Sequence, residues 1–466
     1  MQLYRRITII ILWGLTFFIL FGLKNSAARI REQGDKIETN RNKILTEMEY
    51  LLDQSFELWY PLSVDSVNGG FYSDINYKWQ LDGKQNKMIV TQARHVWSTA
   101  NAAIFNKKYS YLPEISAYGF RFLENVMWDK KYGGFYDLVD RAGKVINQSG
   151  FGIKNEDQII KNAYGNAFAI YGLAAYYKVS KDASALKLAE ETFHWLDKHS
   201  YDPEYGGYFQ FLSRNGTPFK DGYRGIPPKD QNSSIHILEA FTELYTVWPD
   251  SRLKERLASM LHIIRDKFVT DKGYLNLFFN RDLTPVSYRD SSAEARKKHF
   301  ELDHVSFGHD IETGYLMLEA SKVLGLKNDT ATLRIAKKMV DHTIKNGWDE
   351  NVGGIFDRGY YFKGQNKITV VLKTKQWWSQ IEALNSCLLM SELFPNDKLD
   401  YYKRFCEQWD YIKNYLVDKK YGGFYWGGSD EVPDIKTYPK GTIWKGDYHT
   451  TRGLINCIRR LQGKEQ

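Results

Sequence analysis

The sequence predicts an all-α protein built as an (α/α)6 barrel, a double ring of six helical hairpins with short β-ribbons in its loops. Three observations lead there. Gly-Gly pairs followed by aromatic or apolar residues recur about every seventy residues: Gly69-Gly70-Phe71-Tyr72, Gly133-Gly134-Phe135-Tyr136, Gly206-Gly207-Tyr208-Phe209, Gly353-Gly354-Ile355-Phe356 and Gly422-Gly423-Phe424-Tyr425. A worn copy, Asp271-Lys272-Gly273-Tyr274, sits near the middle of the one double-length gap and brings the count to six. Between the turns, apolar residues recur at helical spacing, and the helices come in pairs.

Taken in order, the chain opens with Arg5-Arg6, an uncharged apolar run from Ile7 to Leu23, and the small residues Ser26-Ala27-Ala28. The run is long for a signal-peptide core and short for a membrane span. Residues 1–28 therefore read as a signal peptide or a membrane anchor, and 29–43 as a linker. Both put the body outside the cytoplasm, periplasmic or tethered, with a cytoplasmic protein as the alternative. From 44 to 466 the repeat argues for one barrel domain, where length alone would allow two or three.

Inside the body, Ile159–Val179 reads as one helix and Ser184–His199 as its partner. The breaker-rich stretch Tyr201-Asp202-Pro203-Glu204-Tyr205-Gly206-Gly207 follows as a turn. A single hairpin cannot bury its apolar face, so hairpins stack. Six of them, without obviously polar caps at the ends, favour a closed ring over an open solenoid. Arg281–His304 is the widest departure from regularity. It is polar and charged, and reads as a solvated surface excursion, with a lid over a site as the second reading.

Composition narrows the function. The 13 Trp, 32 Tyr and 26 Phe exceed what a helical core needs and suit either thick packing, which must account for most of them, or a carbohydrate site, where sugar C–H faces stack on rings. A net charge of +8 without a Lys/Arg block argues against nucleic acid. Cys387, Cys406 and Cys457 lack metal-type spacing and read as small apolar residues on late helices. A lone His309-x-x-Glu312 offers too few ligands for a metal site.

A second series keeps step with the first. Arg94, Tyr164, His236, His309, Trp378 and His449 are separated by 70, 72, 73, 69 and 71 residues, so one side chain per repeat should converge on one site. Around them, His309 and Glu312 share a helix face, and the carboxylate is expected to orient the imidazole. Asn232 and His236 lie one turn apart, Glu382 lies one turn after Trp378, and His449 stands near Arg452. Two histidines facing one cavity suit proton transfer near neutral pH, removing a proton beside a sugar carbonyl from one face and returning it on the other. Arg94 could then neutralise the developing oxyanion. Glu312, Glu382 and Asp310 could instead serve a glycoside hydrolase, but paired histidines favour proton transfer. A sugar-binding protein would have no use for them.

These residues resemble the N-acylglucosamine 2-epimerase superfamily, and within it the cellobiose/mannobiose 2-epimerase branch, from about residue 44 to the end. The most specific pieces are Gly308-His309-Asp310-Ile311-Glu312, Trp377-Trp378-x-Gln380-x-Glu382 and Trp444-Lys445-x-x-Tyr448-His449-x-x-Arg452. The resemblance implies an (α/α)6 barrel that works without metal or redox cofactor on the reducing-end sugar of a β-1,4-linked disaccharide or small oligosaccharide. It implies ring opening assisted by His236, then acid/base work by His309 and His449 through a cis-enediolate. Arg94 would hold the enediolate oxygen, Glu312 and Glu382 would orient catalytic groups or sugar hydroxyls, and Trp377, Trp378 and Trp444 would stack on sugar. Tyr164, Asn232 and Arg452 complete the expected substrate-binding set. Two positions depart from the pattern, Ser233-Ser234 after Asn232 and Thr450 after His449. An aldose–ketose isomerase or an N-acylglucosamine 2-epimerase is the neighbouring alternative, and a monomer is expected.

Overall fold

The computed structural model of the chain describes residues 38–154 and 158–464. The address read at 1–28 lies outside them. The helices are α1 (38–59), α2 (Ile89–Phe105), α3 (Leu112–Phe122), α4 (Ala163–Ser180), α5 (Ala183–His199), α6 (Gln231–Tyr245), α7 (Ser251–Ile263), α8 (Ala293–Lys298), α9 (Phe300–Asp303), α10 (Phe307–Val323), α11 (Thr330–Gly347), α12 (Trp377–Leu393), α13 (Tyr401–Tyr411) and α14 (Tyr448–Leu461). Among the described residues no helix is long and apolar enough to cross a membrane.

Two units can be distinguished. In the smaller, whose described residues are 38–51 and 458–464, the Arg41 guanidinium donates to the carbonyls of Leu461 at 2.8 Å and Arg460 at 3.0 Å. The larger, Leu52–Cys457, carries the barrel. Its inner ring runs α2, α4, α6, α10, α12, with neighbours in contact. The residues of α14 up to Cys457 close it: His449 bonds Glu382 of α12, and the Tyr448 ring meets Trp97 of α2 at 5.2 Å. Inner helices are enclosed on every side, which is why α4 is buried from Ala163 to Tyr176 without a polar stripe. Outer helices α3, α5, α7, α11 and α13 are amphipathic and bury one face only.

The repeat is built around its turns. In all six copies a bridge closes the loop, as at Trp128↔Phe135 and Tyr201↔Tyr208, and in the worn copy at Val269↔Leu275. Gly133 and Gly134 take φ of +68° and +70°, and a Cβ on Gly134 would lie 2.7 Å from the Trp195 ring, so glycine alone fits. Five turns share a buried lysine, which donates to the turn aspartate and to the first glycine's carbonyl: Lys87 to Asp65, Lys161 to Asp129, Lys229 to Asp202, Lys375 to Asp349 and Lys440 to Asp418. Burial opposes ionisation of Asp65, but the Lys87 hydrogen bond and charge, with the Asn68 and Val67 backbone N–H groups, together outweigh it and hold the carboxyl well below its usual range. The fourth copy has lost both partners together, with Thr270 at the aspartate position and Val305 two residues before α10, where lysine stands before α2, α4, α6 and α12.

The structure amends the element boundaries. Ile160–Asn162, expected to be helical, is a strand paired with Phe211–Ser213. Asn162 is the reason, since its side chain accepts from Gly165 N at 2.5 Å and caps α4 at Ala163. Similar two- or three-residue strands precede α2, α6 and α10, and they fix the first turns of these helices at one end of the ring. The 281–304 excursion holds α8 and α9 and is tied down rather than loose. Asp303 accepts from Tyr360 Oη and Tyr288 N, and Arg289 donates to the Asp303 carbonyl at 2.8 Å. Among the described residues no disulfide joins the cysteines; Cys387 and Cys457 are buried.

Candidate active site

The first two turns of the six inner helices bring the phased series together. His236 sits 5.3 Å from the Tyr164 ring and 4.7 Å from Phe168. The Trp378 indole touches both His309, at 4.8 Å, and His449, at 5.6 Å between ring centroids. Two imidazoles supplied by different hairpins thus flank one indole. Gly308 makes room for it: a Cβ there would lie 2.7 Å from Trp378 and 2.4 Å from Ser379 Oγ.

Each of these histidines is anchored at Nδ1. His236 pairs with Glu239 Oε2 at 2.8 Å, His449 with Glu382 Oε1 at 2.7 Å, and His309 with Ser306 Oγ at 2.8 Å. An ionised carboxylate only accepts, so it sets the proton on Nδ1 and leaves Nε2 as the basic nitrogen of His236 and His449. A hydroxyl both donates and accepts, so His309 can use either tautomer. The expected Glu312–His309 pairing is therefore replaced: Ser306 serves His309, and Glu312 turns to Arg452. Burial, and then the charges of His236, His304 and His449, hold His309 well below the ordinary imidazole value. Burial and then the Arg94 charge do the same to His449. Both are neutral at pH 7, and His309 keeps an accessible edge while His449 is 6% exposed.

Arg452 lies beneath them, 2% exposed. Its guanidinium bonds Glu239, Glu312, Glu382 (2.7 Å) and Tyr448 Oη (2.6 Å), so both terminal nitrogens are engaged by protein rather than held for a substrate. Burial works against the Glu239 carboxylate, but the Arg452 charge and His236 outweigh it and hold the group well below its usual range. Burial wins at Glu382, which is raised.

Arg94 is the contrasting cation. Its Nη2 donates to Tyr164 Oη at 3.1 Å, Nη1 to the Trp444 carbonyl at 3.4 Å, and its guanidinium rests 4.3 Å from the Phe168 ring and 4.9 Å from Tyr448. Among the described residues no carboxylate pairs with it. A buried cation without a counter-ion is poised to take up developing negative charge. Asn232 bonds Tyr164, and Trp444 lies 6.3 Å from the same ring with Phe151 at 5.1 Å. Trp377 stands further back, buried against Trp426 and Lys445 and 6.5 Å from His449, so Trp378 and Trp444 are the half-exposed rings that a ligand can reach.

Glu239, Ser306, Tyr448 and Phe168 went unrecognised as site residues in the sequence. Glu239 carried a signal, since it follows His236 by three residues on one helix face. Glu312, Glu382 and His449 also bring carboxylate and imidazole atoms within 4.8 Å of one another, with Arg452 bonded to both carboxylates.

A helical double ring whose interior gathers three anchored histidines, an unpaired arginine and accessible indoles defines a sugar-directed acid/base enzyme class. Comparison with known proteins places it further. The N-acylglucosamine 2-epimerase (GlcNAc 2-epimerase) model matches residues 70–452, and the chain belongs to this family. It is 30% identical over 423 residues to a cellobiose 2-epimerase of Ruminococcus albus, covering 88% of this chain and 97% of the relative. A cellobiose 2-epimerase of Dictyoglomus turgidum is 27% identical, covering 89% and 97%. The solved structure of cellobiose 2-epimerase from Spirochaeta thermophila superposes with a TM-score of 0.76 at 28% identity, covering 91% of this chain and 98% of that one.

Proposed function

We propose that this protein epimerises C2 of the reducing-end sugar of a β-1,4-linked disaccharide of the cellobiose or mannobiose type. The observation that carries this is the pair of neutral imidazoles, His309 and His449, set against one indole with Arg94 nearby. His236 assists opening of the sugar ring to the free aldehyde. One imidazole of the pair removes the C2 proton, and the C–H electrons form the C1–C2 double bond as the carbonyl oxygen becomes an oxyanion facing Arg94. Rotation about C2–C3 then presents the other face, and the second imidazole, after taking up a proton from solvent, delivers it to C2 while the first releases its own to solvent, so both end neutral as they began. Proton count and redox state are unchanged, so no cofactor is required. Glu239 and Glu382 position their histidines, Arg452 holds those carboxylates, and Tyr164, Asn232, Trp378 and Trp444 receive the sugar.

Incubation with cellobiose followed by chromatography and mass analysis tests this reading. A product of unchanged mass carrying mannose at the reducing end supports it. Release of glucose would assign a hydrolase, and a reducing-end ketose alone would assign an isomerase. The apolar run 7–23 further suggests export, which fractionation of the native host with an antibody against the protein will check.

A further inference from the structure

Away from the barrel interior, a cleft of about 360 Å³ opens between the worn fourth turn and α11, within the range of roughly 300–1,000 Å³ typical of small-molecule sites. Its walls carry Lys272, Arg334, Lys337, Lys338 and Lys345 against a single carboxylate, Asp341. That carboxylate is already shared between Lys337 at 2.9 Å and Lys345 at 3.4 Å. Among the described residues no ion pair takes Lys272, Arg334 or Lys338. Three cations around one concavity therefore lack counter-charge.

The floor is shaped rather than open. His342 and Tyr361, 5% and 8% exposed, are joined Nε2 to Oη at 3.0 Å, and Lys272 Nζ stands 5.1 Å over the Tyr361 ring. The cleft lies at the one turn that lost its buried Lys–Asp pair. There, Lys272 stands exposed in the turn itself. We propose that this cleft binds a phosphate-class dianion, either inorganic phosphate or a phosphomonoester. Two ammonium groups, Lys272 and Lys338, with the Arg334 guanidinium around one concavity suit a tetrahedral dianion. The site is independent of the sugar chemistry assigned above, so failure of either leaves the other standing.

Calorimetric titration of the whole protein with sodium phosphate and with glycerol 2-phosphate, against sodium chloride at matched ionic strength, tests it. Saturable binding is expected, at least tenfold weaker in Lys272→Glu and in Lys338→Glu and unchanged in the exposed control Lys220→Glu. Thermal unfolding midpoints confirm that each variant folds. Heats equal to those of chloride, or affinities unaffected by both substitutions, would overturn the proposal. So would cosedimentation with phosphatidic acid vesicles, lost in the two variants, without binding of either free anion.

Discussion

Arg452→Met removes the one cation that serves three buried carboxylates, Glu239, Glu312 and Glu382, which are 4%, 1% and 0% exposed. Methionine keeps much of the volume, so the loss is electrostatic rather than a cavity. Breaking a buried pair by deleting one partner costs about 3–5 kcal/mol, because the surviving charges stay desolvated. The variant can lower that cost only by protonating its carboxylates. The sign follows from Glu239. Its folded pKa lies below the unfolded value of ~4.3, so its contribution is fully present above that pH and is lost as pH falls through the folded value. In the variant the same carboxyls are raised by burial, so its deficit opens as pH rises above ~4.3. Urea denaturation followed by circular dichroism should therefore show a gap of about 3–5 kcal/mol at pH 7.5 and a clearly smaller one at pH 5. Turnover should fall as well, since Glu382 would no longer hold His449 as a carboxylate. A loss under about 1 kcal/mol, or an equal loss at both pH values, would refute this reasoning.

Other predictions rest on separate parts of the molecule. Gly308→Ala pushes into Trp378 and should lower kcat/KM at least about tenfold, or ~1.4 kcal/mol, with an unchanged circular dichroism spectrum. Lys440→Val strands Asp418, both 1% exposed, and should cost about 3–5 kcal/mol in denaturant titration. Adding Asp418→Thr imitates the fourth copy, and a double-mutant cycle should recover about 1–3 kcal/mol of that loss. Because burial depresses His309 and His449, kcat/KM should stay flat as pH falls to ~6.5 and decline only below it as the imidazoles protonate. Stability should erode in the same direction: His95, pushed down to about 3 by burial, favours the fold above ~6.5 and progressively less as pH drops toward that folded value.

The barrel was legible because its turns impose a local requirement that only glycine meets. Gly133-Gly134 must occupy positive φ against Trp195, and such positions recur at a fixed interval. The phased series was legible for a related reason. Short strands lock the starts of the inner helices at one end of the ring, so side chains in the first two turns converge. Partner choice was not legible. Spacing on one helix suggested Glu312 for His309, yet Arg452, 140 residues away in sequence, claims Glu312, and Ser306 takes the imidazole. Arg452 itself reads in sequence as a substrate ligand, and only three-dimensional packing reveals the three carboxylates around it. The lysines at Lys87, Lys161, Lys229 and Lys375, each two residues before an inner helix, did carry a periodic signal, and lysine's usual exposure hides it.

The central claim is that two imidazoles work on opposite faces of one sugar carbon. Proton NMR in D2O, with the wild type, His309→Asn and His449→Asn on each epimer separately, tests it most directly. The wild type should place one deuterium at C2 of both epimers, while each single variant should lose interconversion and retain C2 exchange with only one epimer, a different one in each case. Interconversion without C2 deuterium, or exchange of both epimers by either single variant, would contradict the two-imidazole account.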